Sequence, residues 1–248
     1  MLMLSYPVDK SQITLSKTTG KLLNTYKINE VFESLQGEGA HTGVPSIFIR
    51  LQGCPVGCPW CDTKHTWEID QNLKVAAPVV MAQNEDTAQW FEHTPEQLLA
   101  LFELHGYTAS NIILTGGEPC MYDLTNLSSV LIENGFSVQI ETSGTYEILT
   151  HPDTWVTVSP KVNMPGKRDV LKSAMHRANE IKHPVAMEKH IEELEHVLTL
   201  LVGSDNPKPL IYLQPISQQK RATELCIKTC IARNWRLSLQ THKFIGIE

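Results

Sequence analysis

The sequence predicts an α/β fold of parallel strands with right-handed crossovers, and three observations carry that prediction. Short apolar runs alternate with amphipathic helical patterns from Asn111 to Leu239, the pattern that parallel strands with helical crossovers produce. The length of 248 residues suits one barrel-sized domain better than two small ones. Gly, Ser, Gln and Cys residues cluster directly after the strands, at the carboxyl ends where such folds gather reactive groups.

In chain order, residues 1–24 are rich in Ser, Thr and Lys, lack sustained periodicity, and are expected to form a flexible N-terminal extension. The opening Met-Leu-Met-Leu has no preceding basic region, so it does not read as a secretory signal. Residues 25–248 are expected to form one core domain with an insertion at about 65–93. Ile28, Val31 and Phe32 lead into Ser34-Leu35-Gln36-Gly37-Glu38-Gly39, where two glycines make a turn or let the backbone approach a ligand. Residues 46–51, bounded by Pro45 and Gly53, suit a buried strand. Arg50, at its end, is shaped to fork onto a carboxylate or to pair with an acidic neighbour.

Residues 65–93 are polar and irregular, with Trp67 and Trp90 isolated, and read as a long insertion or lid. Thr94-Pro95-Glu96-Gln97 is a capping box that opens a helix ending near Gly106. Residues 111–115 form a strand that stops at Gly116-Gly117-Glu118-Pro119, and a helix then runs from Asp123 to Asn134-Gly135. Further strands are expected at 137–141, 155–159, 178–182, 210–214 and 235–239. A helix bearing Ile191, Leu194, Leu198 and Leu201 stops at Gly203, and another spans 218–233. Cys226 and Cys230 share the apolar face of that last helix with Ala222 and Leu225, which makes them core residues.

Bulk composition narrows the functional classes. Twenty-one Lys and Arg against 27 Asp and Glu give a net charge of −6, unlike a protein built to grip a nucleic-acid backbone. Six cysteines do not make a disulfide scaffold in a chain of this size, and no apolar run is long enough to cross a bilayer. A cytoplasmic protein with reduced thiols, bound to no membrane, is expected.

Cys54, Cys58 and Cys61 lie within eight positions on a Gly- and Pro-punctuated loop. Three thiolates this close select a soft or borderline metal, either zinc or the irons of a cluster. Zinc would need a fourth ligand, for which His65 or Cys120 is available. An iron–sulfur cube would not, and its fourth iron would stay open to a small molecule. A disulfide with a spare thiol is the remaining reading and requires an oxidising compartment. Spacing alone leaves zinc and cluster open.

From about Tyr26 to the C-terminus the chain resembles the radical S-adenosylmethionine enzymes, and within them the 7-carboxy-7-deazaguanine synthase family. The resemblance rests on Leu35-Gln36-Gly37-Glu38-Gly39, on the Cys54, Cys58, Cys61 spacing followed by Asp62-Thr63, and on Gly116-Gly117-Glu118-Pro119. It extends to Glu141-Thr142-Ser143-Gly144-Thr145, Ser159-Pro160-Lys161, Gln214-Pro215-Ile216-Ser217 and Gln240-Thr241-His242-Lys243. It implies a partial, incomplete TIM-like β/α barrel with fewer helices than the text suggests. It also implies a [4Fe–4S] cluster on Cys54, Cys58 and Cys61 whose open iron takes S-adenosylmethionine and releases a 5′-deoxyadenosyl radical. Positions matching the family's S-adenosylmethionine contacts are Trp60, Cys61, Asp62, Gly117, Ser159, Pro160, Lys161, Gln214, Pro215, Ile216 and Ser217. Those matching substrate contacts are Leu35, Gln36, Gly37, Arg50, Thr115 and the terminal carboxylate of Glu248. Thr63 matches a Mg²⁺ ligand. The family's reaction converts 6-carboxy-5,6,7,8-tetrahydropterin to 7-carboxy-7-deazaguanine with loss of ammonia, in queuosine biosynthesis. A one-electron reductant such as flavodoxin or ferredoxin, and pairing as a homodimer, come with it. Two alternatives stand beside this reading: a radical enzyme of the activating type acting on a protein, and a non-catalytic zinc-bearing module that binds RNA.

Overall fold

Ile112 and Leu114, Val138 and Ile140, and Val156 and Val158 are fully or almost fully buried, and each alternates along its strand with a residue facing the other way. Strand side chains alternate with period two, so the apolar members meet the helices and the alternate members face inward. On that inner side stand Thr115, Gln139, Glu141, Thr157 and Lys182. The strands are apolar outside, and inside they set these polar side chains beside Phe48 and Ile113, which places a largely polar interior at the centre of the fold.

The computed structural model describes residues 24–83, 85–216 and 219–247. The expected extension at 1–24 lies outside them except for Asn24, as do Ser217 and Glu248. In chain order the elements are β1 (Tyr26–Leu35), β2 (Pro45–Leu51), α1 (Ala77–Met81), β3 (Phe91–His93), α2 (Pro95–Leu104) and β4 (Asn111–Gly116). Then come α3 (Thr125–Glu133), β5 (Ser137–Thr142), β6 (Trp155–Val158), α4 (Lys172–Arg177) and β7 (Glu180–Val185). The chain finishes with α5 (Glu188–Leu198), β8 (Leu210–Pro215), α6 (Lys220–Arg233), β9 (Arg236–Leu237) and α7 (Thr241–Ile245).

These strands make one nine-stranded sheet in the order β3-β1-β2-β4-β5-β6-β7-β8-β9. From β2 to β9 all neighbours are parallel, whereas β1 pairs antiparallel with both β2 and β3. Because β3 and β9 are the two ends of the strand order, the sheet is open: an incomplete barrel of the kind expected. Two apolar clusters pack behind it, one joining β1, β2, β4 and β5 to α1–α3, the other joining β6–β8 to α4–α6. Cys226 and Cys230 belong to the second, as their spacing suggests.

Local signals placed α2 well. Gln97 N donates to Thr94 Oγ1 at 3.3 Å and Thr94 N to Gln97 Oε1 at 2.9 Å, a complete capping box. Other boundaries moved. The strand expected at 178–182 is β7, displaced toward Val185, because Ala178 closes α4, a six-residue helix with no side-chain cap to announce it. The last strand keeps only Arg236 and Leu237, and α7 follows where no helix was read.

The described residues of the stretch 65–93 include the antiparallel edge of the sheet. The stretch contains a 3₁₀ turn at Gln71–Leu73, helix α1 and strand β3, which pairs with Tyr26–Ile28. Trp90 is completely buried there, and its Nε1 donates to Asp70 O at 2.9 Å. Asn29 Nδ2 donates to Thr87 O at 2.8 Å and Gln89 O at 3.0 Å, fastening the segment to β1. Trp90→Ala should therefore cost about 3–5 kcal/mol of stability. Urea unfolding checks this, and a loss below about 1 kcal/mol would mean the segment is not integral to the core. Among the described residues no helix is long and apolar enough to cross a membrane.

Candidate active site

The cysteine loop is fixed at its base by the strands beneath it. After β2 the chain turns at Gly53, whose φ of 106° lies in the region that favours glycine. Gly53 N donates to Thr66 O at 2.6 Å and Cys54 N to Trp67 O at 3.0 Å, so the returning segment holds the first cysteine. Within the loop, Cys61 N donates to Cys58 O at 3.0 Å. From outside, Gly166 N donates to Val56 O at 3.0 Å, bringing the loop after β6 against it.

The glycine turn after β4 lies flat on this base. Gly117 N donates to Leu51 O at 2.9 Å and Glu118 N to Gly53 O at 2.8 Å. A Cβ at residue 117 would stand 2.2 Å from Gly53 O and 3.0 Å from the Cys54 Cβ, so no side chain fits there. Glu118 then ties β4 to β5: Oε1 accepts from Thr142 Oγ1 at 2.6 Å and Cys120 N at 2.9 Å, and Oε2 accepts from Ser143 N at 2.8 Å.

These contacts enclose a cavity of about 310 Å³ lined by Cys54, Cys58 and Cys61. Trp60, Asp62, Gly117, Ser159, Lys161, Gln214, Pro215 and Ile216 line it too, so the structure brings these sequence-derived positions together. Pro160 is buried beside them without lining the cavity. A second cavity, of about 220 Å³, is lined by Leu35, Gln36, Gly37, Arg50 and Thr115, which gathers the described members of the other expected set. Glu38, Asp62, Thr63, Thr115, Glu141 and Gln240 line both, so the two cavities share a wall. Arg50 Nε donates to Glu30 Oε2 at 2.7 Å. This is the acidic pairing weighed from sequence, and it occupies one of the five guanidinium donors.

The residues missed from sequence are mostly in that wall. Glu38 and Glu141 stand there with Asp62, Lys182 joins them from β7, Gln240 reaches the wall just ahead of α7, and from α7 His242 lines the second cavity and Lys243 the first. Glu38, Glu141, Gln240, His242 and Lys243 lie in motifs already noted, but nothing local marked them as wall residues. Lys182 had one signal, an ammonium amid the otherwise strand-like Glu180-Ile181-Lys182-His183 run.

The donor set of the cysteine loop fits a cluster. Burial pushes the Cys54 thiol up to about 11, and burial likewise raises Cys58, with Lys161 acting in the opposite direction. Held as thiolates, these sulfurs need a strong local positive charge, which coordinated irons provide. The zinc alternative lacks its fourth ligand. His65 lies 3.9 Å from Asp86 on another cavity, and Cys120 is buried beneath the Glu118 turn. Among the described residues no three His, Cys, Asp or Glu side chains stand close enough to hold a single metal ion.

Comparison with known proteins agrees with this geometry. Residues 48–161 match the model of the radical SAM superfamily. The chain is 57% identical over 222 residues to 7-carboxy-7-deazaguanine synthase of Escherichia coli (strain K12), covering 90% of this chain and 99% of that one. It is 44% identical over 223 residues to the same-named protein of Buchnera aphidicola, with the same coverages, 90% and 99%. A crystal structure of QueE from Escherichia coli superposes with a TM-score of 0.84 at 56% identity, covering 87% of this chain and 93% of that one. A cysteine-lined cavity sharing a wall with an arginine-bearing one, in a sheet that superposes on that enzyme and a sequence that follows it nearly end to end, settles the lineage: the chain belongs to the 7-carboxy-7-deazaguanine synthase family of radical SAM enzymes.

Proposed function

We infer that the protein converts 6-carboxy-5,6,7,8-tetrahydropterin to 7-carboxy-7-deazaguanine with release of ammonia, in the biosynthesis of queuosine and related 7-deazapurines. The observation that carries the reading is the shared wall. A cavity fit for the superfamily's [4Fe–4S] cluster and S-adenosylmethionine adjoins one that offers Arg50 to a small carboxylated ring.

In this reading Cys54, Cys58 and Cys61 hold the cluster. Trp60, Asp62, Gly117, Ser159, Lys161 and residues 214–216 surround S-adenosylmethionine, with the bare backbone at Gly117 giving the closest approach. When bound, these cofactors supply the one-electron chemistry that removes a hydrogen atom from the substrate. The chain supplies placement. Arg50 grips the substrate carboxylate with donors that Glu30 leaves free, and Leu35 to Gly37 close over the ring. The polar interior replaces bulk water around the reacting atoms. Thr63, lining both cavities with its Oγ1 3.5 Å from Cys61 Sγ, holds Mg²⁺ through a hard oxygen beside the soft sulfur site. Residues 25–248 act as one catalytic domain. A one-electron carrier such as flavodoxin or ferredoxin, a homodimeric state and a cytoplasmic setting complete the reading, and the net charge of −6 favours a small-molecule partner over nucleic acid.

The test is anaerobic turnover of reconstituted protein with a one-electron reductant, S-adenosylmethionine, Mg²⁺ and carboxytetrahydropterin, read by product mass. Formation of 5′-deoxyadenosine without the deazaguanine would move the assignment to another substrate. Thr63→Ala is expected to abolish the stimulation by Mg²⁺ and lower kcat about 10- to 100-fold, as losses around metal sites do. A magnesium titration that matches wild type would remove Thr63 from that role.

A further inference from the structure

Lys182 sits mid-strand in β7 with its side chain only 6% exposed. A buried ammonium must be paired, and this one is paired twice. Nζ lies 2.6 Å from Glu38 Oε2, and 2.9 Å and 3.1 Å from the two carboxylate oxygens of Glu141. Both carboxylates accept from further donors. Glu38 Oε1 accepts from Gln214 Nε2 at 3.2 Å and Gln240 Nε2 at 2.9 Å. Glu141 Oε1 accepts from Gln139 Nε2 at 3.0 Å and Gln36 Nε2 at 3.4 Å. β5, β7, β8, the loop after β1 and the approach to α7 therefore converge on one ammonium.

The charges around Glu141 do not balance to full ionisation. Lys182 and Glu180 face it from β7, Glu38 from the loop after β1, and Lys161 stands beyond β6. Glu118 lies past β4, and His242 acts on Glu38 from α7. Burial pushes Glu141 up to about 7, against the pull of Lys182 and with the push of Glu38 and Glu180. Glu38 is also buried, but Lys182 and its hydrogen bonds outweigh that and leave it at about 2. Glu38 is thus the standing anion of the pair, and Glu141 the group able to hold a proton.

We propose that Lys182 is a positioning residue for the reaction: its ammonium clamps Glu38 and Glu141 together in the wall shared by the two cavities, and so fixes the place and charge that Glu141 presents to the bound substrate. Glu141 lines the second cavity, whereas Lys182 reaches that cavity only through it. The inference rests on the second cavity being the substrate site.

The pH dependence of kcat/KM, measured on the reconstituted holoenzyme with carboxytetrahydropterin, tests it. Wild type should show an ionisation near 7, which Glu141→Gln erases. Lys182→Met removes the ammonium that lowers Glu141, so the ionisation should move to higher pH by about one unit or more. Lower activity with an unmoved ionisation is what a merely structural lysine would give, and would overturn the proposal. Persistence of the ionisation in Glu141→Gln would do the same. If Lys182→Met does not fold, Lys182→Arg decides. Charge kept but geometry displaced should hold the ionisation within about half a unit while lowering kcat/KM about tenfold. Wild-type kinetics in Lys182→Arg would overturn the clamp. A wild-type enzyme that forms no deazaguanine would instead refute the substrate reading itself, so the two failures are distinct.

Discussion

Cys58→Ala is expected to abolish turnover and to prevent the brown cluster from forming on reconstitution. Changes in the shell around a metal ligand cost about 10- to 100-fold, so loss of a direct ligand should exceed about 1,000-fold. The fold should survive. The bond that shapes the loop is made by the carbonyl of Cys58, which Cys61 N reaches at 3.0 Å, and alanine keeps that carbonyl. Burial also holds the thiol in its neutral form, so its removal from the apoprotein leaves no orphaned charge. Iron content, visible absorbance and product mass would be measured beside apoprotein melting. A variant that keeps its iron and its turnover would refute the cluster assignment.

Gly117→Ala should be almost as damaging for a different reason. The added methyl would stand 2.2 Å from Gly53 O and 2.6 Å from Gly53 C, both backbone atoms. Relief requires parting the β4 turn from the cysteine loop, which breaks the Gly117 N to Leu51 O and Glu118 N to Gly53 O bonds. Overpacking of this kind costs about 1–3 kcal/mol in stability. A shift of about 1 Å between catalytic parts costs about 100-fold in rate, so kcat/KM should fall at least that far. Gly106→Ala is the control, because Gly106 has φ of +67° but open space around the missing Cβ. It should lose some stability and keep its activity. Gly117 itself has no left-handed φ, so equal behaviour of the two variants would show that contact with the cysteine loop is not what requires glycine at 117.

These predictions draw on features that sequence reveals unevenly. The three cysteines, the Thr94 capping box and the glycine stop after β4 are local, each written within ten residues, and each appears in the structure where it was read. The wall between the cavities is not local. Lys182 meets Glu141 across 41 positions, and Gln240 meets Glu38 across 202. The strand text hides such pairings because it shows only the apolar half of the alternation. Gln139 and Glu141 alternate with Val138 and Ile140 and look like interruptions of a buried strand, when they lie on the inner face of an open barrel. Short elements escaped for a related reason. β3 is three residues long and exists because Tyr26, Lys27 and Ile28 lie beside it. α7 has no side-chain cap, and its Thr241 is held through the carbonyl of Gly37, far away in the chain.

The register of β2 against β4 bears on how the chain tolerates changes in length. Arg50 lies opposite Thr115, and Leu51 opposite Gly116. A single residue inserted or deleted within β2 would turn Arg50 out toward the helices and bring Ile49 or Leu51 into the cavity. The composition would be almost unchanged and the catalytic surface inverted. Residues 85–89, ahead of β3, belong to none of the parallel strand pairs. Length variation among descendants of this chain should accumulate there and be excluded from β2, and a library of single-codon deletions screened for deazaguanine formation would draw that boundary residue by residue.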